Sequence, residues 1–268
     1  LYLVSEFMPG GDMFFHMHDG QIVIFSNDKT KFYMIELVLA LESLHKNNMV
    51  YRDLKPENIL LDSKGHVKLT DFGLSKILED EDDKAFTLCG TPQYLAPEVL
   101  LRQGYDKSVD WWSLGCVMYE MLMGRLPFAI KRGVKLSMKI YEKNLDFNKR
   151  ISNAAKDLVQ KLLVTNPKER LGNGPNGTED VKNHPFFEGV DWDLAMDKKL
   201  KPPFIPKLKN DTDLRYFDIL FTDEPIGGPK RKNTNRDREL SNEYNGFTYM
   251  AESVSKELTN LAKNDDPE

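Results

Sequence analysis

Four side chains that together could move a phosphoryl group sit close in the chain: Asp53, Lys55, Asn58 and Asp71. They belong to Val50-Tyr51-Arg52-Asp53-Leu54-Lys55-Pro56-Glu57-Asn58-Ile59-Leu60-Leu61 and to the Asp71-Phe72-Gly73 that follows. Phosphoryl transfer from ATP is catalysed mostly by positioning and charge neutralisation. One carboxylate must accept the proton of the attacking hydroxyl. A second carboxylate and a carboxamide oxygen suit Mg2+, a hard cation that prefers oxygen ligands. An ammonium supplies positive charge toward the transferred group. The intervening residues can bring the set together: Asp62-Ser63-Lys64-Gly65 is a turn signal, and His66-Val67-Lys68-Leu69-Thr70 alternates like a strand. A hairpin there would return Asp71 to the side of the Asp53 loop.

Taken in order and at these spacings, the motifs resemble the protein-kinase signature. The resemblance implies that Asp53 is the catalytic base, Asn58 and Asp71 the magnesium ligands, and Lys55 the contact to the γ-phosphate. The histidine usual in that signature is Tyr51 here, a replacement typical of the AGC group of serine/threonine kinases. The implied reaction is transfer of the γ-phosphate of Mg-ATP to serine or threonine hydroxyls of protein substrates.

The elements that must hold these residues follow along the chain. Ser5-Glu6-Phe7-Met8-Pro9-Gly10-Gly11-Asp12 resembles the kinase hinge, which implies adenine contacts near Glu6 and Met8 and a ribose contact at Asp12. Glu57 and Leu60 are counted with this nucleotide-facing set, and Glu57 and Asp12 also match carboxylates that meet arginines of the substrate. By its residues alone the hinge stretch reads equally as a strand running into a turn. Ser26 can cap a helix whose Met34, Leu37, Val38, Leu41 and Leu44 fall on one face.

Beyond Asp71, an acidic run reads as a solvated loop, and Thr87 to Glu98 resembles the AGC activation segment. Thr87 matches its phosphorylated threonine, placed there by an upstream activating kinase; Arg52 and Lys76 would receive the phosphate. Thr91 matches the threonine that contacts the catalytic aspartate. Gln93 departs from the glutamate frequent in the group.

Asp110 opens a helix that is apolar nearly all round and too short to span a membrane. It reads either as a brace for the catalytic-loop backbone, as the resemblance implies, or as a simple helix cap. Arg170 matches the arginine that pairs with Glu98. His184 is expected to be a packing residue. The Pro202–Pro206 and Phe217-Asp218 stretches resemble the AGC tail, and Tyr244 to Tyr249 its hydrophobic motif with a phosphorylatable Thr248.

Composition bounds the rest. A net charge of −5 over 268 residues gives no sign of nonspecific nucleic-acid binding, and two cysteines leave no disulfide framework. The sequons at Asn176 and Asn210 read as surface turns. A cytoplasmic, or also nuclear, setting and no membrane segment are expected. The expected fold is α+β, mainly α: a kinase-like helical C-terminal lobe with hinge and AGC tail, its N-terminal lobe absent. Residues 1–14 would close the small lobe and form the hinge, 15–187 the large lobe, and 188–268 the tail. No glycine-rich loop or paired strand lysine precedes the hinge, so the chain is expected to be a truncated, inactive form. The competing expectation is a noncatalytic regulatory or binding fragment that keeps the fold.

Overall fold

In the computed structural model of the protein the described residues are 5–18, 20–80, 83–128, 140 and 145–223, without the side chain of residue 221. The chain divides into two units, residues 1–6 with 223–268 and residues 7–222. In the first unit only Ser5, Glu6 and Asp223 are described, and Ser5 and Glu6 are exposed. The rest concerns the second unit.

Two long helices build the centre. Helix α2 (Asn27–Lys46) follows a short α1 (Met13–His18) and starts where expected, with the Ser26 hydroxyl accepting from Lys29 N. Its Met34, Leu37, Val38 and Leu41 are all fully buried, as a helical stripe requires. Helix α4 (Ser108–Met123), preceded by the single turn α3 (Pro97–Leu100), is buried along almost its whole length, including Trp111, Trp112, Leu114, Val117 and Tyr119. Each such side chain contributes about 1.5–3 kcal/mol on burial, so α4 anchors the unit. It packs between α2 and the amphipathic α5 (Asn153–Leu162), which Ser152 caps. Close approach of α4 and α5 depends on Gly115: a Cβ there would stand 2.9 Å from the Leu162 Cβ. Short helices α6 (Thr178–Lys182) and α7 (Trp192–Met196) pack on α2, and α8 (Ile219–Thr222) closes the described tail.

Two small antiparallel ladders hold the site. Strand β1 (Met49–Val50) pairs with β4 (Lys76–Ile77), and β2 (Ile59–Leu61) with β3 (Val67–Leu69) in the register Ile59↔Leu69 and Leu61↔Val67. The strand expected over His66–Thr70 is therefore present but shorter. Glu36 of α2 fixes this hairpin from below: its carboxylate accepts from Val67 N and from the His66 ring, both at 2.6 Å and buried.

The first part of the tail belongs to the same unit as the helices. Phe7 stacks on Phe217 with centroids 5.6 Å apart, and the His16 ring lies against Phe204 and Tyr216. Glycine is required where the tail backbone passes. A Cβ at Gly65 would collide with the Phe204 carbonyl oxygen, and one at Gly11 with that of Tyr216; both glycines also have positive φ. Asn176 and Asn210 lie in turns, each with its side chain bonded locally. His184 does more than pack: Nε2 bonds Asp157 at 2.8 Å, and Nδ1 accepts from Phe186 N. The acidic run is partly structured, since Asp83 accepts from Glu79 N and itself donates to Asp80. The hydrophobic motif with Thr248 lies outside the described residues.

Candidate active site

The loop between β1 and β2 carries Arg52, Asp53, Lys55 and Asn58, and its conformation is held from outside. Arg52 has φ of 70°, a left-handed conformation that a non-glycine residue adopts at a cost of about 1–3 kcal/mol. What holds it is the fully buried Asp110 carboxylate, which accepts from Arg52 N at 2.9 Å, Tyr51 N at 3.0 Å and His45 Nε2 at 2.8 Å. Lys107, not Asp110, occupies the cap position of α4. Of the two readings of Asp110, the geometry shows the brace.

Four donors converge on Asp53, which is almost fully buried. Its Oδ1 accepts from Thr91 N (3.2 Å) and Thr91 Oγ1 (3.1 Å). Its Oδ2 accepts from Asn58 Nδ2 (2.9 Å) and faces Lys55 Nζ (3.0 Å). Lys55 also donates to Thr91 Oγ1 at 3.0 Å. Asn58 Nδ2 donates a second time, to the Asp53 carbonyl, which commits the amide nitrogen and turns the carboxamide oxygen away from Asp53. Asp71 stands at the end of the β2–β3 hairpin, exposed, with φ of 55° and Oδ1 accepting from Gly73 N at 3.3 Å. Among the described residues no group of three or more His, Cys, Asp or Glu could hold a metal. An Asn58 oxygen and the Asp71 carboxylate nevertheless suit Mg2+, which takes one or two protein ligands and completes its shell with water and phosphate oxygens.

The hinge-like residues line up beside β2. Gly10 N donates to Leu61 O, Leu61 N to Gly11 O, and Asp12 bridges Leu60, so both fall on one edge. Met8 is buried and its carbonyl accepts from Gly11 N. A cavity of about 740 Å³ lies alongside, lined by Asp12, Glu57, Asp218, Phe14, Phe15 and His18 among others. Burial raises the Asp12 carboxyl above its usual range.

Sequence reasoning missed Glu120. It is 4% exposed, ten residues beyond Asp110 in the same helix; it accepts from the Tyr94 hydroxyl at 2.6 Å and lies 3.8 Å from His18 Nε2. Its burial raises its carboxyl above the ordinary value. The available signal is a lone carboxylate within an otherwise apolar helix.

The activation-segment residues are placed unevenly. Thr87 is exposed, and its carbonyl accepts from Tyr105 Oη. Arg52 Nη1 donates to the same Tyr105 hydroxyl, so Thr87 and Arg52 are joined through it. Lys76 faces Asp83 at 3.5 Å. Glu98 and Arg170 form a buried bidentate pair at 2.6 and 3.0 Å, with Arg170 also donating to Ser108 O and Val164 O. Among the described residues no helix is long and apolar enough to cross a membrane.

Comparison with known proteins follows the same outline. The Protein kinase domain model matches residues 1–187. The chain is 45% identical over 256 residues to Ribosomal protein S6 kinase beta of Caenorhabditis elegans, covering 95% of this chain and 46% of that protein. It is 48% identical over 219 residues to cAMP-dependent protein kinase catalytic subunit PRKX of Mus musculus, covering 81% and 60%. It is 44% identical over 254 residues to Serine/threonine-protein kinase YPK2/YKR2 of Saccharomyces cerevisiae, covering 94% and 36%. The chain thus spans from about a third to three fifths of the length of these relatives. With a kinase-like fold, the family match and these likenesses together, the chain belongs to the protein kinase family, in its AGC serine/threonine group.

Proposed function

We propose that the protein is a serine/threonine kinase that transfers the γ-phosphate of ATP to protein hydroxyls, with Asp53 as the base. The observation that carries this is the convergence on Asp53: Thr91, Lys55 and Asn58 together fix its carboxylate. A carboxylate so held accepts the proton of a serine or threonine hydroxyl as that oxygen attacks. Lys55 lies within reach of both Asp53 and Thr91 and supplies charge to the transferred group. Asn58 and Asp71 would hold Mg2+, which when bound neutralises charge on the phosphate oxygens. Met8, Asp12, Glu57 and Leu60 would face the nucleotide.

The cavity supports substrates with basic residues near the target, because Asp12, Glu57 and Asp218 line it and the one arginine in its lining, Arg215, is paired with Asp213. Thr87 is the proposed activating phosphosite, modified by an upstream kinase, and Thr248 a second one. The lobe boundaries 15–187 and 188–268 and a cytoplasmic or nuclear setting go with this reading; the latter is supported by two unpaired cysteines.

The test is label transfer from γ-labelled ATP to a serine peptide with arginines N-terminal to the target. Asp53→Asn should reduce transfer by at least about a thousandfold, since the general base and the positioning of the hydroxyl are lost together. A melt of the variant within a few degrees of the parent shows that the fold is kept. Transfer by Asp53→Asn within a few-fold of an active parent overturns the assignment; a parent without transfer matches the inactive form expected from the sequence as well as the binding-fragment reading.

A further inference from the structure

We propose that the Tyr105 hydroxyl is a positioning clamp that holds the unphosphorylated activation segment onto Arg52 and yields Arg52 when Thr87 is phosphorylated. The inference rests on the reading of Thr87 as a phosphosite. Three observations carry it. The Tyr105 hydroxyl accepts from Arg52 Nη1 at 3.2 Å and donates to the Thr87 carbonyl at 2.7 Å, with Cys89 Sγ of the same segment also against it at 4.0 Å. Both of its polar roles are thus filled, and both connect the catalytic loop to the segment. The ring is placed by backbone pairing, Ala85 N to Tyr105 O at 2.8 Å and Tyr105 N to Ala85 O at 3.0 Å, and is buried to 3%. Arg52, for its part, bonds the Leu74 carbonyl and this hydroxyl, and among the described residues no carboxylate forms an ion pair with it. Its guanidinium charge is therefore held by neutral acceptors.

That arrangement has a direct consequence. Thr87 is already kept within two hydrogen bonds of Arg52 before any phosphate is present. A phosphate on Thr87 adds charged oxygens to the residue whose carbonyl the clamp already holds, and a charge-assisted bidentate bond to a guanidinium is stronger than one to a phenol. Arg52 then leaves the phenol for the phosphate, and the clamp is no longer needed. Before phosphorylation, the clamp is what keeps Arg52, and through it the neighbouring Asp53, near a working geometry. Tyr105 touches no reacting atom and acts through Arg52.

Tyr105→Phe isolates the hydroxyl, because the ring and its burial are retained. In unphosphorylated protein, hydrogen exchange of the amides of residues 86–91 should quicken roughly five- to thirtyfold in the variant, as expected for the loss of one or two hydrogen bonds. In protein phosphorylated on Thr87, exchange of parent and variant should agree within about twofold. Under the proposed kinase function, kcat of the unphosphorylated variant should fall several-fold with little change in KM, while the phosphorylated variant keeps parental kcat. Unchanged exchange in the unphosphorylated variant overturns the clamp. So does an equal effect in both phosphorylation states, which is what a merely structural hydroxyl would give. Where parent and variant alike give no phosphate transfer, as the inactive form expected from the sequence would, the exchange comparison alone decides the clamp.

Discussion

Replacing Asp110 with alanine tests the idea that a carboxylate far away in sequence sets the geometry of the catalytic loop. Asp110 is fully buried and is the acceptor for Tyr51 N, Arg52 N and the His45 ring, at 3.0, 2.9 and 2.8 Å. Each buried donor left without a partner costs about 1–3 kcal/mol. Local relaxation and an entering water recover part of this, so the net loss is placed at about 3–5 kcal/mol, in line with breaking a buried charged network. For a unit of this size each kcal/mol lowers the melting temperature by about 2–4 °C, which gives a fall of roughly 6–20 °C. Asp110→Asn should cost less, because one acceptor oxygen remains, but its NH2 would face a donor. The local effect matters more than the global one. Without the brace, Arg52 can leave its left-handed conformation, with φ of 70°, and so release about 1–3 kcal/mol of strain. The amides of residues 51–53 should then exchange faster than those of α4. The measurements are a thermal melt and residue-resolved hydrogen exchange. A melting temperature within about 2 °C of the parent for Asp110→Ala, with unchanged exchange at Tyr51 and Arg52, would refute the brace.

Two further expectations follow from buried charges. Arg170→Met leaves the Glu98 carboxylate buried without its bidentate partner and should cost about 3–5 kcal/mol, whereas Glu98→Met with Arg170→Met should cost clearly less; strictly additive denaturation energies would show the pair uncoupled. Glu120 is raised chiefly by its burial, so the stability tied to its protonated form is complete below the ordinary value of 4.5 and is lost as pH rises through the higher folded-state value. Glu120→Gln retains an acceptor for Tyr94 and removes the buried charge, and should raise the melting temperature at pH 7 but hardly at pH 4. The same shift at both pH values would contradict this.

Much of the site was legible from local spacing. Asp53, Lys55 and Asn58 fall in one loop, and the turn signal at Asp62–Gly65 implied the β2–β3 hairpin that returns Asp71 beside them. The buried stripe of α2 and its Ser26 cap were equally readable, since 3.6-residue periodicity and capping chemistry are written within a few residues of each other. The choice between brace and cap for Asp110 was not readable, because its partners Tyr51 and Arg52 lie 59 and 58 residues away. Nor could the chain show that Tyr105 would stand between Arg52 and Thr87, or that Glu120 would reach Tyr94 and His18. His45 and Glu36 support the site from within a helix that the sequence presents simply as core. The residues proposed to do the chemistry are neighbours in sequence because one loop presents them together. The residues that hold that loop are neighbours only in space, where a buried donor takes whichever acceptor the packing of α2 against α4 brings within reach.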